Sequence, residues 1–248
     1  MFPMLYYREL LTTDRDAYGI YVQSPFPKEN RRILIGSDVS SRYTRRNRAE
    51  YRKIAGYIAR CVWQRQGNYM VFFPSYRLME DVLQVYEEEF SVDWVRCVCQ
   101  TPDMTEQERE GFLEEFQERE GTLVGFCVLG GIFSEGVDLT GESLIGAGIV
   151  RTGLPQIGSQ SEILKEYYYK KTHCGIDYAY RYPGMNKVLQ AAGRVIRTKE
   201  DKGVILLLDD RFWDRDYQEI FPREWQDRTG CRLDTVEGAV ETFWKRFT

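Results

Sequence analysis

Short apolar runs alternate with longer amphipathic stretches along most of this chain. Six of the runs read as strands, centred near residues 33, 70, 95, 125, 146 and 205. The last, Val204 to Leu208, contains no alternating polar residues, which is typical of a strand buried on both faces of a parallel sheet. Because helical patterns separate the runs, the sequence predicts an α/β sandwich with a mainly parallel sheet.

Helices can be placed between these strands from their periodicity and their capping residues. The apolar positions of residues 42–66 follow helical spacing, and Ser75 stands where a helix N-cap is expected. Thr105 and Glu108 have the spacing of a capping box at the start of an acidic helix. Residues 235–247 form an amphipathic pattern whose apolar face is predicted to seal the domain.

The first 28 residues read as an arm in front of the sheet. Ile20 to Val22 is predicted to be a short strand, and Pro25 and Pro27 favour extended backbone after it. No repeat, low-complexity tract or flexible linker follows, so 248 residues are most simply one domain.

Charge is distributed unevenly along the chain. The net charge of −4 excludes an overall cationic coat but not a local basic groove. Arg42 to Lys53 contains six basic residues and one acidic residue, whereas residues 80–120 contain fourteen acidic and three basic ones. This asymmetry could orient a polyanion on one surface, although an ordinary solvated surface also explains it.

The six cysteines and the single histidine, His173, do not form a zinc-binding pattern, since no two cysteines have CxxC spacing. No signal peptide and no long apolar span is present in the sequence. We therefore expect a reducing, cytoplasmic location and no membrane partner.

The strongest candidate chemistry lies in QAAGRVIR, residues 190–197. On a helix, Gln190, Arg194 and Arg197 would share one face, and Gly193 would let a ligand come close. Guanidinium groups bind phosphate oxygens bidentately, so this face suits a polyphosphate. A solvated polar stripe on a surface helix explains the spacing equally well. Residues 182–184, Tyr-Pro-Gly, are predicted to break the chain before this helix.

Other candidates lie where predicted strands end. Glu135 and Asp138 follow a glycine-rich turn, at the edge where ligands of parallel sheets bind, and an ordinary surface loop is the alternative. Arg42, Arg45, Arg46 and Arg48 are candidate phosphate contacts by charge. Ser75 could cap its helix or leave backbone N–H groups for a phosphate.

These segments together resemble the second motor domain of superfamily 2 DNA helicases, most closely the XPD/DinG type. QAAGRVIR followed by LLLDDRF is similar to motif VI and its strand. SPFPKEN, VSSRYTRRN, VFFPSY and FSEGVDLTG also appear in the family's order. The resemblance implies a RecA-like three-layer sandwich over residues 1–248. Residues 1–28 would arrive from a first motor domain, and residues 209–248 would form a helical extension.

The resemblance also implies how the candidate residues divide the work. ATP with Mg²⁺ would sit between two motor domains, with Arg194 and Arg197 as arginine fingers and Gln190 positioning the γ-phosphate or the water. The remaining nucleotide contacts implied are Glu135, Gly136, Asp138 and Gly193. The implied contacts to single-stranded DNA are Ser40, Arg42, Arg45, Ser75 and Tyr76. The resemblance implies movement along this strand, generally 5′ to 3′.

The sequence contains neither a GxxxxGK[ST] phosphate loop nor a DEAH-like metal-binding motif. The chain alone is therefore not expected to hydrolyse ATP, and the first motor domain would hold most of the Mg²⁺-ATP. Any iron–sulfur cluster of the family would also lie outside this chain. Two alternatives stay open: a non-enzymatic nucleic-acid-binding or protein-interaction module, and a motor that acts on RNA.

Overall fold

The computed structural model describes residues 4–14, 16–117, 121–133, 144–155 and 158–247. Its strands are β1 (Arg31–Gly36), β2 (Asn68–Phe73), β3 (Val95–Cys99), β4 (Thr122–Val128), β5 (Gly146–Ile149), β6 (Gly203–Leu207) and β7 (Thr229–Cys231). They form one sheet in the order β3-β4-β2-β5-β6-β1-β7. Every pairing between them is parallel. The predicted fold class is confirmed, and all six predicted strands are present.

The α-helices of the described residues are α1 (Met4–Leu11), α2 (Arg48–Val62), α3 (Tyr76–Glu89), α4 (Glu106–Glu114), α5 (Ser159–Thr172), α6 (Tyr182–Ala192), α7 (Arg215–Gln218) and α8 (Val236–Trp244). Local capping starts three of them. The side chains of Asn47 and Ser75 accept hydrogen bonds from the first turns of α2 and α3. Thr105 and Glu108 form the predicted capping box of α4.

The helices cover both faces of the sheet, as alternating residues of β2 show. Met70 and Phe72 point into one core, together with residues of α4, α5 and α6. Val71 and Phe73 point into the other core, together with residues of α2, α3 and α8. Because successive strand residues face opposite sides, a strand between two helical layers must be apolar throughout. This explains the unbroken apolar runs in the sequence.

The N-terminal arm differs from its prediction. The described part contains α1, whose Tyr6 is buried and packs edge-on against the rings of Tyr178 and Tyr182. Residues 20–22 are not a strand, and the side chains of Ile20 and Val22 are exposed. Among the described residues no strand pairs with this triplet, so its backbone is not part of a sheet.

Two further predictions near the C-terminal half were wrong. The Tyr-Pro-Gly sequence does not break the chain, because a π-helical turn over Asp177–Arg181 continues directly into α6. Pro183 lies in the first turn of α6, directly after the π-helical turn. The segment 209–248 is not wholly helical, since its β7 joins the sheet beside β1. A three-residue edge strand leaves too little apolar pattern to be recognised.

Candidate functional site

A cavity of about 350 Å³ opens at the carboxyl edge of the sheet, where β1, β2, β5 and β6 end. Its described lining residues are Ser41, Arg42, Tyr43, Arg46, Pro74, Ser75, Arg151, Leu154 and Arg211. Four of these nine side chains are arginines, and none is a carboxylate. In parallel sheets this edge is where ligands bind, and such a lining favours anions.

Arg211 is held in the cavity wall by Asp209, which is completely buried. The guanidinium donates from Nε to Oδ1 of Asp209 at 2.7 Å and from Nη2 to Oδ2 at 2.8 Å. Ser41 donates to the same carboxylate from its backbone N at 3.0 Å and from its hydroxyl. Burial alone would raise the pKa of Asp209, but these donors outweigh it and lower the pKa. The pair therefore stays charged, and the orientation of Arg211 is fixed.

Arg42 and Arg45 lie near carboxylates contributed by distant parts of the chain. Arg42 Nε is 3.5 Å from Asp210 Oδ1. Arg45 is 3.3 Å from Asp210 Oδ2 through Nη1 and 3.2 Å from Glu50 Oε2 through Nη2. Both arginines are roughly half exposed, so these pairs offset their charge without removing them from solvent.

Ser40, a predicted DNA contact, is buried beneath these arginines. Its backbone N donates to Glu50 Oε1 at 2.5 Å, and its hydroxyl donates to Asp210 Oδ1 at 3.0 Å. Ser40 therefore lies behind the cavity wall, where it binds Glu50 and Asp210, whereas its neighbour Ser41 lines the cavity.

Ser75 and Tyr76, predicted together, separate in the structure. Ser75 lines the cavity and caps α3, accepting a hydrogen bond from the backbone N of Leu78 at 3.4 Å. Tyr76 is half-buried and outside the described lining. Its hydroxyl accepts a hydrogen bond from Gln100 Nε2 at 2.9 Å. Tyr43 is the aromatic residue of the lining, and its side chain is 83% exposed.

Arg151 is a cavity residue that the sequence reasoning missed. It lies two residues after the end of β5 and has a φ of 100°, a left-handed conformation that is rare for residues other than glycine. The next residue but one, Gly153, has a φ of 70° and touches the backbone of Gly184 in α6. A Cβ at Gly153 would lie 2.3 Å from the Gly184 carbonyl oxygen. The available signal was an arginine placed immediately after a predicted buried strand.

The predicted helical face of Gln190, Arg194 and Arg197 does not exist, because α6 ends at Ala192. Gln190 and Arg197 are exposed, whereas Arg194 is only 4% exposed. After α6 the chain turns, and the buried Asp201 accepts hydrogen bonds at 2.7 Å and 2.6 Å from the backbone N atoms of Arg197 and Thr198. This carboxylate replaces the helical hydrogen bonds with a loop. We call residues 193–201 the arginine loop.

Arg194 lies close enough to the carboxyl half of β4 to influence Cys127. Burial raises the pKa of the Cys127 thiol strongly, and the charge of Arg194 acts in the opposite direction. Gly193, at the start of the arginine loop, is exposed. Glu135, Gly136 and Asp138, which follow β4 in sequence, lie outside the described residues.

Three of the six tyrosines between residues 163 and 182 pack inside the domain. Tyr168 stacks on Tyr178 with ring centroids 4.0 Å apart, and both are buried with Tyr182. Tyr167 and Tyr169 are exposed on α5. The six cysteines are free thiols.

The described residues contain no group of three or more His, Cys, Asp or Glu side chains placed to hold a metal ion. None of the helices in the described ranges has both the length and the apolar character needed to cross a membrane.

Comparisons with known proteins show which family this chain resembles. A model of the helicase C-terminal domain matches residues 58–228. The chain is 27% identical over 190 residues to the ATP-dependent DNA helicase XPD of Sulfolobus acidocaldarius, covering 72% of this chain and 31% of that protein. It is also 28% identical over 206 residues to a Methanocaldococcus jannaschii protein named as a probable ATP-dependent helicase. This match covers 79% of this chain and 31% of that protein.

Solved structures agree on the fold. A structure titled as an XPD helicase superposes with a TM-score of 0.63 at 22% identity, covering 81% of this chain and 35% of that one. The chain therefore spans about a third of the length of these relatives.

Proposed function

This chain belongs to the helicase C-terminal domain family of XPD-like helicases, and we propose that it is the second of two RecA-like motor domains in an ATP-dependent DNA helicase. ATP would be held between it and a first motor domain of the same protein. Closure on ATP and opening after hydrolysis would move two grips on single-stranded DNA relative to each other. By the same family likeness, movement would run 5′ to 3′.

The arginine-lined cavity at the carboxyl edge is the observation that carries this proposal. A strand of DNA presents a regular row of phosphates, and arginines bind their oxygens without reading sequence. Arg42, Arg45 and Ser75 would contact the backbone, with Ser40 supporting Arg45 through Glu50. Tyr43, rather than Tyr76, would stack on a base, because its ring is exposed at the cavity whereas the hydroxyl of Tyr76 is hydrogen-bonded to Gln100.

The arginine loop would complete the ATP site from across the inter-domain cleft. Arg197 and Gln190 are exposed and fit a nucleotide held by another domain. Arg197 would neutralise charge that develops on the transferred phosphoryl group, an effect worth about 10³–10⁵ in rate. The buried Arg194 would anchor the loop against β4, and the exposed backbone of Gly193 would allow close approach. The cleavage of ATP itself supplies the energy for movement.

The chain's own residues fit only part of a bound Mg²⁺-ATP. The arginine loop offers cations, but the sequence has no phosphate loop or DEAH-like motif to hold the β-phosphate and the metal. We therefore expect this chain to hydrolyse ATP only together with a first motor domain. Glu135, Gly136 and Asp138 would couple the two motor domains.

The test is ATP turnover by the natural gene product that carries this chain, with and without single-stranded DNA. Arg197→Ala should reduce stimulated turnover by about 10³ or more while nucleotide still binds. Lys199→Ala, an exposed cation in the same loop, is the matched control and should leave turnover unchanged.

An Arg197→Ala protein as active as the wild type would refute the catalytic role. A natural product that hydrolyses nothing would favour a non-enzymatic nucleic-acid-binding module. Stimulation by RNA but not DNA would identify an RNA motor.

A further inference from the structure

The positive charge of the carboxyl-edge cavity is not shared equally among its arginines. Arg211 is paired with Asp209, and Arg42 lies near Asp210 and Asp214. Arg46 and Arg151, in contrast, have no carboxylate within 4.0 Å among the residues that the structure describes. The Nε atoms of both are buried and lack a hydrogen-bond partner in the same set of residues. Excess charge is therefore concentrated at these two side chains.

The backbone and the electrostatics of Arg151 are both unfavourable. Its φ of 100° is a strained conformation for an arginine, and such strain tends to persist at functional sites. Burial lowers the pKa of Arg151, and the nearby charges of Arg211 and Arg46 lower it further, whereas the carboxylate of Asp209 acts in the opposite direction. Like charges brought together in a partly buried place need an anion to balance them.

The surroundings of the two arginines define which anion fits. Ser75, at the N-terminus of the fourteen-residue helix α3, lines the same cavity, and a helix N-terminus favours a phosphate. The guanidinium of Arg46 also lies over the ring of Tyr43, 5.5 Å from its centroid, which restricts where that side chain points. The cavity thus combines two cations, a hydroxyl and a helix N-terminus around one space.

We propose that Arg46 and Arg151 together bind one phosphodiester group of the single-stranded DNA backbone, with the hydroxyl of Ser75 beside it. This inference rests on the proposed function and makes it specific. Neither arginine has a carboxylate within 4.0 Å among the described residues, so this pair would hold a phosphate more tightly than Arg42 and Arg45, whose charges Asp210 offsets. Arg151 has no counterpart among the residues that the motif resemblance assigned to DNA.

The test compares the full chain with Arg151→Gly and Arg46→Gln in equilibrium binding to a short oligo-dT strand over a series of salt concentrations. Loss of a charged hydrogen-bonding partner should weaken binding by about 10- to 100-fold. The slope of log affinity against log salt should become shallower by about 0.7, the contribution of one phosphate contact on a single strand.

Arg151→Gly should change stability and DNA affinity in opposite directions. Glycine adopts the φ of 100° without strain, so this variant should unfold at a higher temperature than the wild type while binding DNA less tightly. Lys245→Gln is the control, because it removes one positive charge from the end of α8, where the lysine pairs with Glu241. It should change neither the affinity nor the salt slope.

The possible outcomes separate this inference from the function it rests on. If the wild type binds the strand and both cavity variants bind it equally well, the phosphate site at Arg46 and Arg151 is wrong, and the proposed binding of single-stranded DNA is retained. If wild type binds no strand at all, both fail. Equal binding of a strand with an uncharged methylphosphonate backbone would also overturn this phosphate site. The proposed site would also be refuted if inorganic phosphate bound to it through Arg151 but did not compete with the DNA strand.

Discussion

The buried pair of Asp209 and Arg211 gives the sharpest prediction for stability. In Asp209→Asn the side chain keeps its shape but loses its charge, and Arg211 is left only 16% exposed without its carboxylate. Removing one partner of a buried ion pair costs about 3–5 kcal/mol. Because asparagine keeps one carbonyl acceptor for Ser41 and Arg211, we expect the lower end, about 3 kcal/mol. For a domain of this size, that lowers the midpoint of thermal unfolding by roughly 6–12 °C.

The neighbouring aspartate provides a matched control for this substitution. Asp210 pairs with Arg42 and Arg45 at 3.5 Å and 3.3 Å, but these arginines are nearly half exposed. Asp210→Asn should therefore cost about 0–1 kcal/mol. Thermal and urea unfolding of both variants measure the difference. Equal losses for the two variants, or a loss below about 1 kcal/mol for Asp209→Asn, would refute the reasoning.

Acid should remove the advantage of Asp209. Its pKa is lower in the folded protein than in the unfolded chain, so its contribution is complete above the unfolded pKa of about 3.9. The contribution is lost as pH falls through the folded pKa. The difference in unfolding free energy between wild type and Asp209→Asn should therefore be constant near neutral pH and shrink below about pH 4. A difference that grows on acidification would contradict the charge assignment.

Two further outcomes follow from the cavity and its supporting turn. Tyr43→Ala should weaken binding to oligo-dT by about 1–3 kcal/mol, whereas Tyr43→Phe should not, and the loss should vanish on an abasic strand if the ring stacks on a base. Gly153→Ala should destabilise the domain in urea unfolding by at least about 1–3 kcal/mol, because its φ is 70° and a Cβ would meet the Gly184 carbonyl. Gly158→Ala is the control, since a Cβ there would meet nothing within 4 Å, and equal stabilities would count against the close contact.

The sheet could be predicted from the sequence because burial on both faces leaves a local signature. The strands β2, β4 and β6 lie in long apolar runs, and β2 needs no other information to be recognised. The edge strand β7 was missed because it has three residues and gains its identity only by pairing with β1. Local pattern therefore predicted the strands that build the core but not the one added at the margin.

The candidate site was less predictable because it depends on contacts between distant residues. The arginine loop was expected to be helical, and the carboxylate of Asp201 prevents this by binding the backbone of Arg197. Arg42 and Arg45 were chosen for their charge, but Asp210, far along the chain, offsets that charge. Arg151 has no neighbouring basic residue in sequence, and its strained φ cannot be deduced from residue types. Only the folded chain determines which arginines lie beside a carboxylate that offsets their charge.

The position of β1 has a consequence for how this domain is made. Its neighbours in the sheet are β6 and β7, so Ile33, Leu34 and Ile35 acquire their hydrogen-bonded partners only from residues 203–207 and 229–231. During vectorial synthesis on the ribosome, β1 emerges before β6 and β7 and cannot complete its pairing until they have followed it. An apolar strand left unpaired for that interval is a site for chaperone binding and aggregation. The step that completes the sheet therefore follows the synthesis of β6 and β7, and a nascent chain stalled before β6 should remain open to proteases.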